Sequence, residues 1–173
     1  MRTESIAVDP VQPWRVYLAQ GTYTQSWAGN RAILASDNFG TTFRRSDLPI
    51  KLGSNEAGRY SGERLGVDPQ DHNVLYLGSR NNGLWKSSEF GRAWNQVTTF
   101  PITSATNGVG LIFVKFLETS QKPPKETIYV GSSATDIPLY SSTDGVTWQA
   151  VVNQPTGFYP TNGAFGPDGT LYT

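Results

Sequence analysis

Three times this chain passes through a Ser-rich turn that runs into an aromatic residue: Ser36-Asp37-Asn38-Phe39-Gly40-Thr41-Thr42-Phe43, Ser87-Ser88-Glu89-Phe90-Gly91-Arg92-Ala93-Trp94, and Ser141-Ser142-Thr143-Asp144-Gly145-Val146-Thr147-Trp148. The turn glycines Gly40, Gly91 and Gly145 stand 51 and then 54 residues apart. Periods of that size belong to propellers, solenoids or arrays. A second marker keeps step. Ile6-Ala7-Val8-Asp9-Pro10 leads to Arg15-Val16-Tyr17-Leu18, Leu65-Gly66-Val67-Asp68-Pro69 leads to Val74-Leu75-Tyr76-Leu77-Gly78, Thr127-Ile128-Tyr129-Val130-Gly131 repeats the second half, and Gly169-Thr170-Leu171-Tyr172 opens a fourth copy.

Each unit therefore reads strand, turn, strand, loop, strand, tight turn, strand. The strands are short, β-branched or aromatic, and bounded by Gly, Pro, Asp and Asn, as half-buried antiparallel strands are. No segment reads as a helix of normal length. The fold class is all-β, built of four-stranded antiparallel β-propeller blades with Asp-box-like turns. The blades are read at roughly 4–45, 60–97 and 109–152, with another beginning over 160–173. Three blades do not close a ring, since propellers use about 4 to 8. The expectation is a partial domain of a larger propeller whose remainder lies outside these residues.

Composition narrows the function. Lys plus Arg and Asp plus Glu both number 14, so the formal net charge is zero, which argues against a nucleic-acid footprint or an anionic membrane surface. The absence of Cys removes disulfide, thiol and Cys–zinc chemistry. No apolar run approaches the ~20 residues of a membrane span, and residues 1–10 lack the apolar stretch of a signal peptide. The single histidine, His72, lies between Asp71 and Asn73 and reads as a solvated turn residue. A Ser-His-Asp triad and a His-rich metal site are thus unsupported, and neither cofactor nor metal is expected.

The run Glu4-Ser5-Ile6-Ala7-Val8-Asp9-Pro10, then Arg15 through Thr24 with Gly21-Thr22-Tyr23-Thr24 and Trp27, together with Leu48-Pro49-Ile50-Lys51, Gly58-Arg59, Gly62-Glu63-Arg64-Leu65 and Gly83-Leu84-Trp85-Lys86-Ser87, resembles glycoside hydrolase family 74. Its members are xyloglucan-active β-1,4-glucanases. The resemblance covers nearly the whole chain in order. It implies two seven-bladed propellers clasping a polysaccharide cleft, a secreted protein, xyloglucan as the partner, and one catalytic Asp near the start of each propeller. The first such Asp follows an Ala-Asp-Ile-Gly-Gly-Ala-Tyr-Arg-Trp type motif upstream of the Glu4 segment, and the second lies downstream of Thr173. No residue here matches either motif, so the resemblance carries no catalytic residue onto this chain. The turn box also departs from the family pattern, with Asn38 and Glu89 at its Asp position and Phe43 at its Trp position.

A glycosidase needs two carboxyl groups, ~5–5.5 Å apart for retention or ~6.5–9.5 Å apart for inversion. Most carboxylates here fall in turns: Asp9, Asp68 and Asp71, the box residues Asp37, Glu89 and Asp144, and Asp168. Glu118 and Glu126 flank the solvated Lys122–Lys125 loop, and Glu4 is near the terminus. Asp47, Glu56, Glu63 and Asp136 remain. Glu56 and Glu63 share a segment with Arg59 and Arg64, which reads as an ion-paired loop ordering a blade edge, opposed to a general-acid role. Sugar contact is the remaining site function. Tyr23, Trp27 and Asn30 lie in one polar loop where a ring can stack on a glucosyl face, and Arg59 joins them as a substrate-binding candidate; the bland alternative packs the rings beneath the loop. Trp85, Trp94 and Trp148 read as blade core and Trp14 as packing. The competing functional class is a non-catalytic Asp-box propeller that binds protein partners.

Overall fold

The computed structural model describes residues 2–118, 126–155 and 157–173; the Lys122–Lys125 loop lies outside the described residues. Every described element is a strand. The first sheet is the meander β1 (Thr3–Val8), β2 (Val16–Gln20), β3 (Ala32–Ser36) and β4 (Arg44–Asp47); the second is β5 (Leu65–Val67), β6 (Leu75–Gly78), β7 (Leu84–Ser87) and β8 (Asn95–Gln96). The third is β9 (Leu111–Glu118), β10 (Glu126–Ser132), β11 (Leu139–Ser142) and β12 (Gln149–Ala150), and β13 (Ala164–Phe165) pairs with β14 (Leu171–Tyr172). All pairings are antiparallel. The protein is all-β and its four-stranded sheets are β-propeller blades, with β1 against β5 and β5 against β9 along the inner side.

The strand period of two explains the packing. Leu75 and Leu77 of β6 point into the core between the first and second sheets, with Tyr17, Ile33, Leu52, Leu65 and Trp85. Tyr76 between them points the other way, into the core with Phe100, Leu111, Val114, Ile128 and Tyr140. A sheet buried on both faces needs apolar residues at consecutive positions, and β6 is buried throughout. In the second core Phe100 meets Tyr140 and Trp148 edge-on, with centroids 5.3 and 5.0 Å apart, an arrangement the ring quadrupole favours.

The turn boxes fold by one local logic. Ser36 Oγ accepts the amides of Asn38 (3.2 Å) and Gly40 (2.9 Å), and Asn38 Oδ1 accepts the amide of Thr42 (2.9 Å). Ser87 repeats the first part with Glu89 (3.2 Å) and Gly91 (3.0 Å), but the Glu89 side chain makes no equivalent bond among the described residues. In the third box Asp144 Oδ1 accepts the amides of Val146 (2.8 Å) and Thr147 (2.7 Å), and these bonds hold its carboxyl far below the usual carboxylate range. The chain turns through left-handed backbone at the box glycines, with φ of 79° at Gly40 and 71° at Gly91.

Tertiary contacts correct three local readings. Trp14, read as packing, is 41% exposed in the turn between β1 and β2. His72, read as solvated, is half-buried with Nδ1 3.1 Å from Asp9 Oδ1. Asp9 is itself fully buried and accepts the amides of Val11 and Gln12, so the two Val-Asp-Pro turns of neighbouring sheets meet there. Glu4, set aside as terminal, is buried between two arginines.

Candidate functional site

Strand direction alternates through each meander, so the turn boxes and the β1–β2 and β5–β6 turns share one end of the stack. The β2–β3 loop, residues 21–31, and the β4–β5 segment, residues 48–64, share the other. These two long connections run side by side there. The amides of Ser54 and Asn55 donate to the carbonyls of Gly21 (3.2 Å) and Thr22 (3.0 Å). Lys51 Nζ donates to the carbonyls of Gln25 (2.6 Å) and Ser26 (3.0 Å), Asn55 Nδ2 to the Tyr23 hydroxyl (2.8 Å), and the Thr24 amide to Glu56 Oε1 (2.8 Å).

On this clamped loop Tyr23 and Trp27 form an aromatic pair, with centroids 5.1 Å apart and planes tilted by 57°. Tyr23 is half-buried while Trp27 is 70% exposed. An indole presented to solvent on a fixed loop offers a flat apolar face with a polar rim, the chemistry suited to the C–H face of a pyranose ring. Asn30, on the same loop, and Arg59, on the neighbouring segment, are both exposed, and neither side chain is engaged in a hydrogen bond among the described residues.

Three of the four carboxylates left by elimination have structural partners. Asp47 pairs with Arg45 (2.6 Å), Glu56 holds Thr24, and Glu63 pairs with Lys115 of β9; Asp136 is exposed. The expected Glu56/Glu63–Arg59/Arg64 grouping does not form, because Arg64 turns inward to Glu4 (3.4 Å). Arg64 and Arg80 are both 1% exposed. Arg80 pairs with Glu4 and donates to the carbonyls of Ala57 and Gly108, while Arg64 donates to those of Val109 and Leu111. Burial, aided by the Arg80 charge and opposed by Glu4, brings the Arg64 guanidinium down to about 10. Sequence reasoning missed this cluster, since its three charges come from separate strand ends; the shared position of Arg64 and Arg80 at the ends of β5 and β6 was the one available signal.

A second missed feature lies at the turn-box end. Glu126, read as the flank of a solvated loop, faces a cavity of about 590 Å³ with Asp68, Asp71, Tyr76, Lys86 and Asp144. Burial first, then the charge and hydrogen bond of Asp68, push its carboxyl up to about 8. The surrounding aspartates are consumed by turns, Asp68 Oδ1 accepting the amides of Gln70 (2.8 Å) and Asp71 (2.9 Å). Among the described residues no three His, Cys, Asp or Glu side chains are grouped to hold a metal ion.

No family model matches the chain. It is 46% identical to a xyloglucanase of Paenibacillus sp across 98% of its own length and 18% of that enzyme. Two solved structures superpose on 98% of it: the GH74 xyloglucanase from Xanthomonas campestris, with a TM-score of 0.87 at 43% identity and 26% of that chain covered, and the Niastella koreensis GH74 enzyme, with 0.84 at 34% and 25% covered. The chain thus spans about a fifth to a quarter of the length of these relatives. With the same strand meanders and the same order of segments throughout, it belongs to glycoside hydrolase family 74.

Proposed function

We propose that these residues supply part of the polysaccharide cleft of a secreted xyloglucan-degrading β-1,4-glucanase, as blades of a seven-bladed propeller facing a second one, and contribute no catalytic carboxyl pair. The observation that carries this reading is Trp27, solvent-presented beside Tyr23 on a loop clamped by Lys51, Asn55 and Glu56, in a chain 46% identical to a xyloglucanase. A glucan chain is neutral, and so is this protein. Recognition therefore falls to ring stacking and to hydroxyl hydrogen bonds from Asn30 and Arg59. Hydrolysis needs two carboxyls flanking one bond, and on these connections Glu56 is spent on Thr24 and Glu63 on Lys115.

Native electrophoresis of the chain in gels with and without tamarind xyloglucan tests the binding. The chain should be retarded by the polysaccharide, and Trp27→Ala should weaken retardation about tenfold, the loss of ~1.4 kcal/mol of stacking, with its melting temperature nearly unchanged. Normal retardation of Trp27→Ala would remove the ring from the site. Incubation with xyloglucan should release no reducing ends above background; release abolished by Glu56→Gln or Glu63→Gln would overturn the non-catalytic reading.

A further inference from the structure

The Tyr23–Trp27 surface is not held by its own loop alone. Between Thr22 and Ala28 the loop's hydrogen bonds run to the 51–56 segment and through one internal turn, from the Ala28 amide to the Gln25 carbonyl (3.0 Å). Asn55 fixes the phenol of Tyr23, and Glu56 fixes the backbone one residue later. The segment that carries them is held from beneath. The Gly53 amide donates to Glu4 Oε2 (2.8 Å), and Arg80, paired with the other oxygen of Glu4, donates to the carbonyl of Ala57. A Cβ on Gly53 would come within 2.5 Å of Glu56 Cγ and 3.2 Å of Arg80 Cδ, so glycine is what allows the two side chains to pass there. Residues 53–57 are thus gripped below by a buried ion pair and above by the aromatic loop.

We infer that Asn55 and Glu56 are positioning residues for the Tyr23–Trp27 surface, transmitting to it the rigidity of the buried Glu4–Arg80 pair. The inference rests on the polysaccharide-facing reading of that surface and adds the residues that preorganise it. An exposed indole on a free loop loses side-chain and loop entropy when a sugar orders it, and a loop fixed beforehand avoids that loss. Neither Asn55 nor Glu56 needs to touch the sugar. Glu56 is suited to the role because its carboxylate accepts both the amide and the hydroxyl of Thr24, and bonds to a charged acceptor are the stronger kind.

The test uses Glu56→Ala, Asn55→Ala and Glu56→Gln in the full 173-residue chain. The order of the Trp27 indole N–H is read by ¹⁵N relaxation, its resonance identified by its absence in Trp27→Ala, and xyloglucan affinity is read by gel retardation. Both alanine variants should show a more mobile Trp27 indole and an affinity about fivefold weaker, the equivalent of one lost hydrogen bond. Glu56→Gln, which keeps an acceptor for the Thr24 amide, should restore both. An indole equally ordered in all variants overturns the inference, as does a mobile indole with unchanged affinity. If Trp27→Ala binds xyloglucan normally, the polysaccharide reading falls, while the relaxation data still decide whether Asn55 and Glu56 order the loop. Should Glu56→Ala fail to fold, Asn55→Ala supports or overturns the inference by the same two readouts.

Discussion

Among single residues, Glu126 has the clearest measurable consequence. Its carboxyl is raised from an ordinary value near 4.5 to about 8 by burial and by Asp68, so the folded chain binds this proton more tightly than the unfolded chain. Stability from such a group is fully present below the unfolded value and is lost as pH rises through the folded one. The bonded aspartates Asp144 and Asp168 act in the opposite sense and only in acid, since their carboxyls are lowered. Between about pH 4.5 and 8 the slope attributable to Glu126 is therefore downward. Thermal melts across this range should show the wild-type melting temperature falling as Glu126→Gln stays flat, with the variant a few degrees more stable at the alkaline end. Parallel profiles for the two proteins would show that Glu126 ionises freely in the fold.

At the level of the element, the three turn boxes form a natural substitution series. Asn38 and Asp144 each accept an amide across the turn, and Glu89, longer by one methylene, does not. The second box compensates through its aromatic, because Trp94 Nε1 donates to the Gly91 carbonyl at 3.1 Å. Phe43 in the first box has no N–H to offer. Glu89→Asp should add the missing bond to the Ala93 amide and stabilise the chain by about 0.5 kcal/mol, the low end for one hydrogen bond because the turn is exposed. Chemical denaturation measures this, and a neutral or destabilising result would mean that the Trp94 contact has already set the turn in a different geometry. The candidate site was only half legible at this scale. Tyr23 and Trp27 stand out as aromatic residues in a polar loop, whereas their anchors Asn55 and Glu56 lie 32 residues from Tyr23 and Thr24, and nothing in local pattern links them.

The whole molecule is a stack of sheets that exposes apolar residues along its inner strands and in the segment after β12. Ile6 is 54% and Val8 49% exposed along β1, where they border a cavity of about 570 Å³ between the inner strands. Val152, Phe158 and Tyr172, all beyond β12, are 82%, 77% and 61% exposed. Apolar faces and strand edges of this kind pair with other chains, and repeat arrays without polar caps behave likewise. The isolated chain should therefore associate with rising concentration, seen as growing scattering mass and a melting temperature that depends on concentration. A monomer with one sharp, concentration-independent transition would show that the described sheets are self-sufficient.

What the sequence by itself determined is everything governed by short range: the strand period, the turn boxes and their hydrogen bonds, the order of the sheets, and the family. Serine, asparagine and aspartate act on amides two to four residues away, so a linear reading captures them. Only the tertiary structure decided the fate of the charges. Glu4 reaches Arg80 across 76 residues, Asp9 meets His72 between two turns, and Glu126 faces Asp68 from a neighbouring sheet. A carboxylate's partner and its desolvation depend on which strand ends converge when sheets stack. Convergence of that kind leaves no periodic trace in the chain.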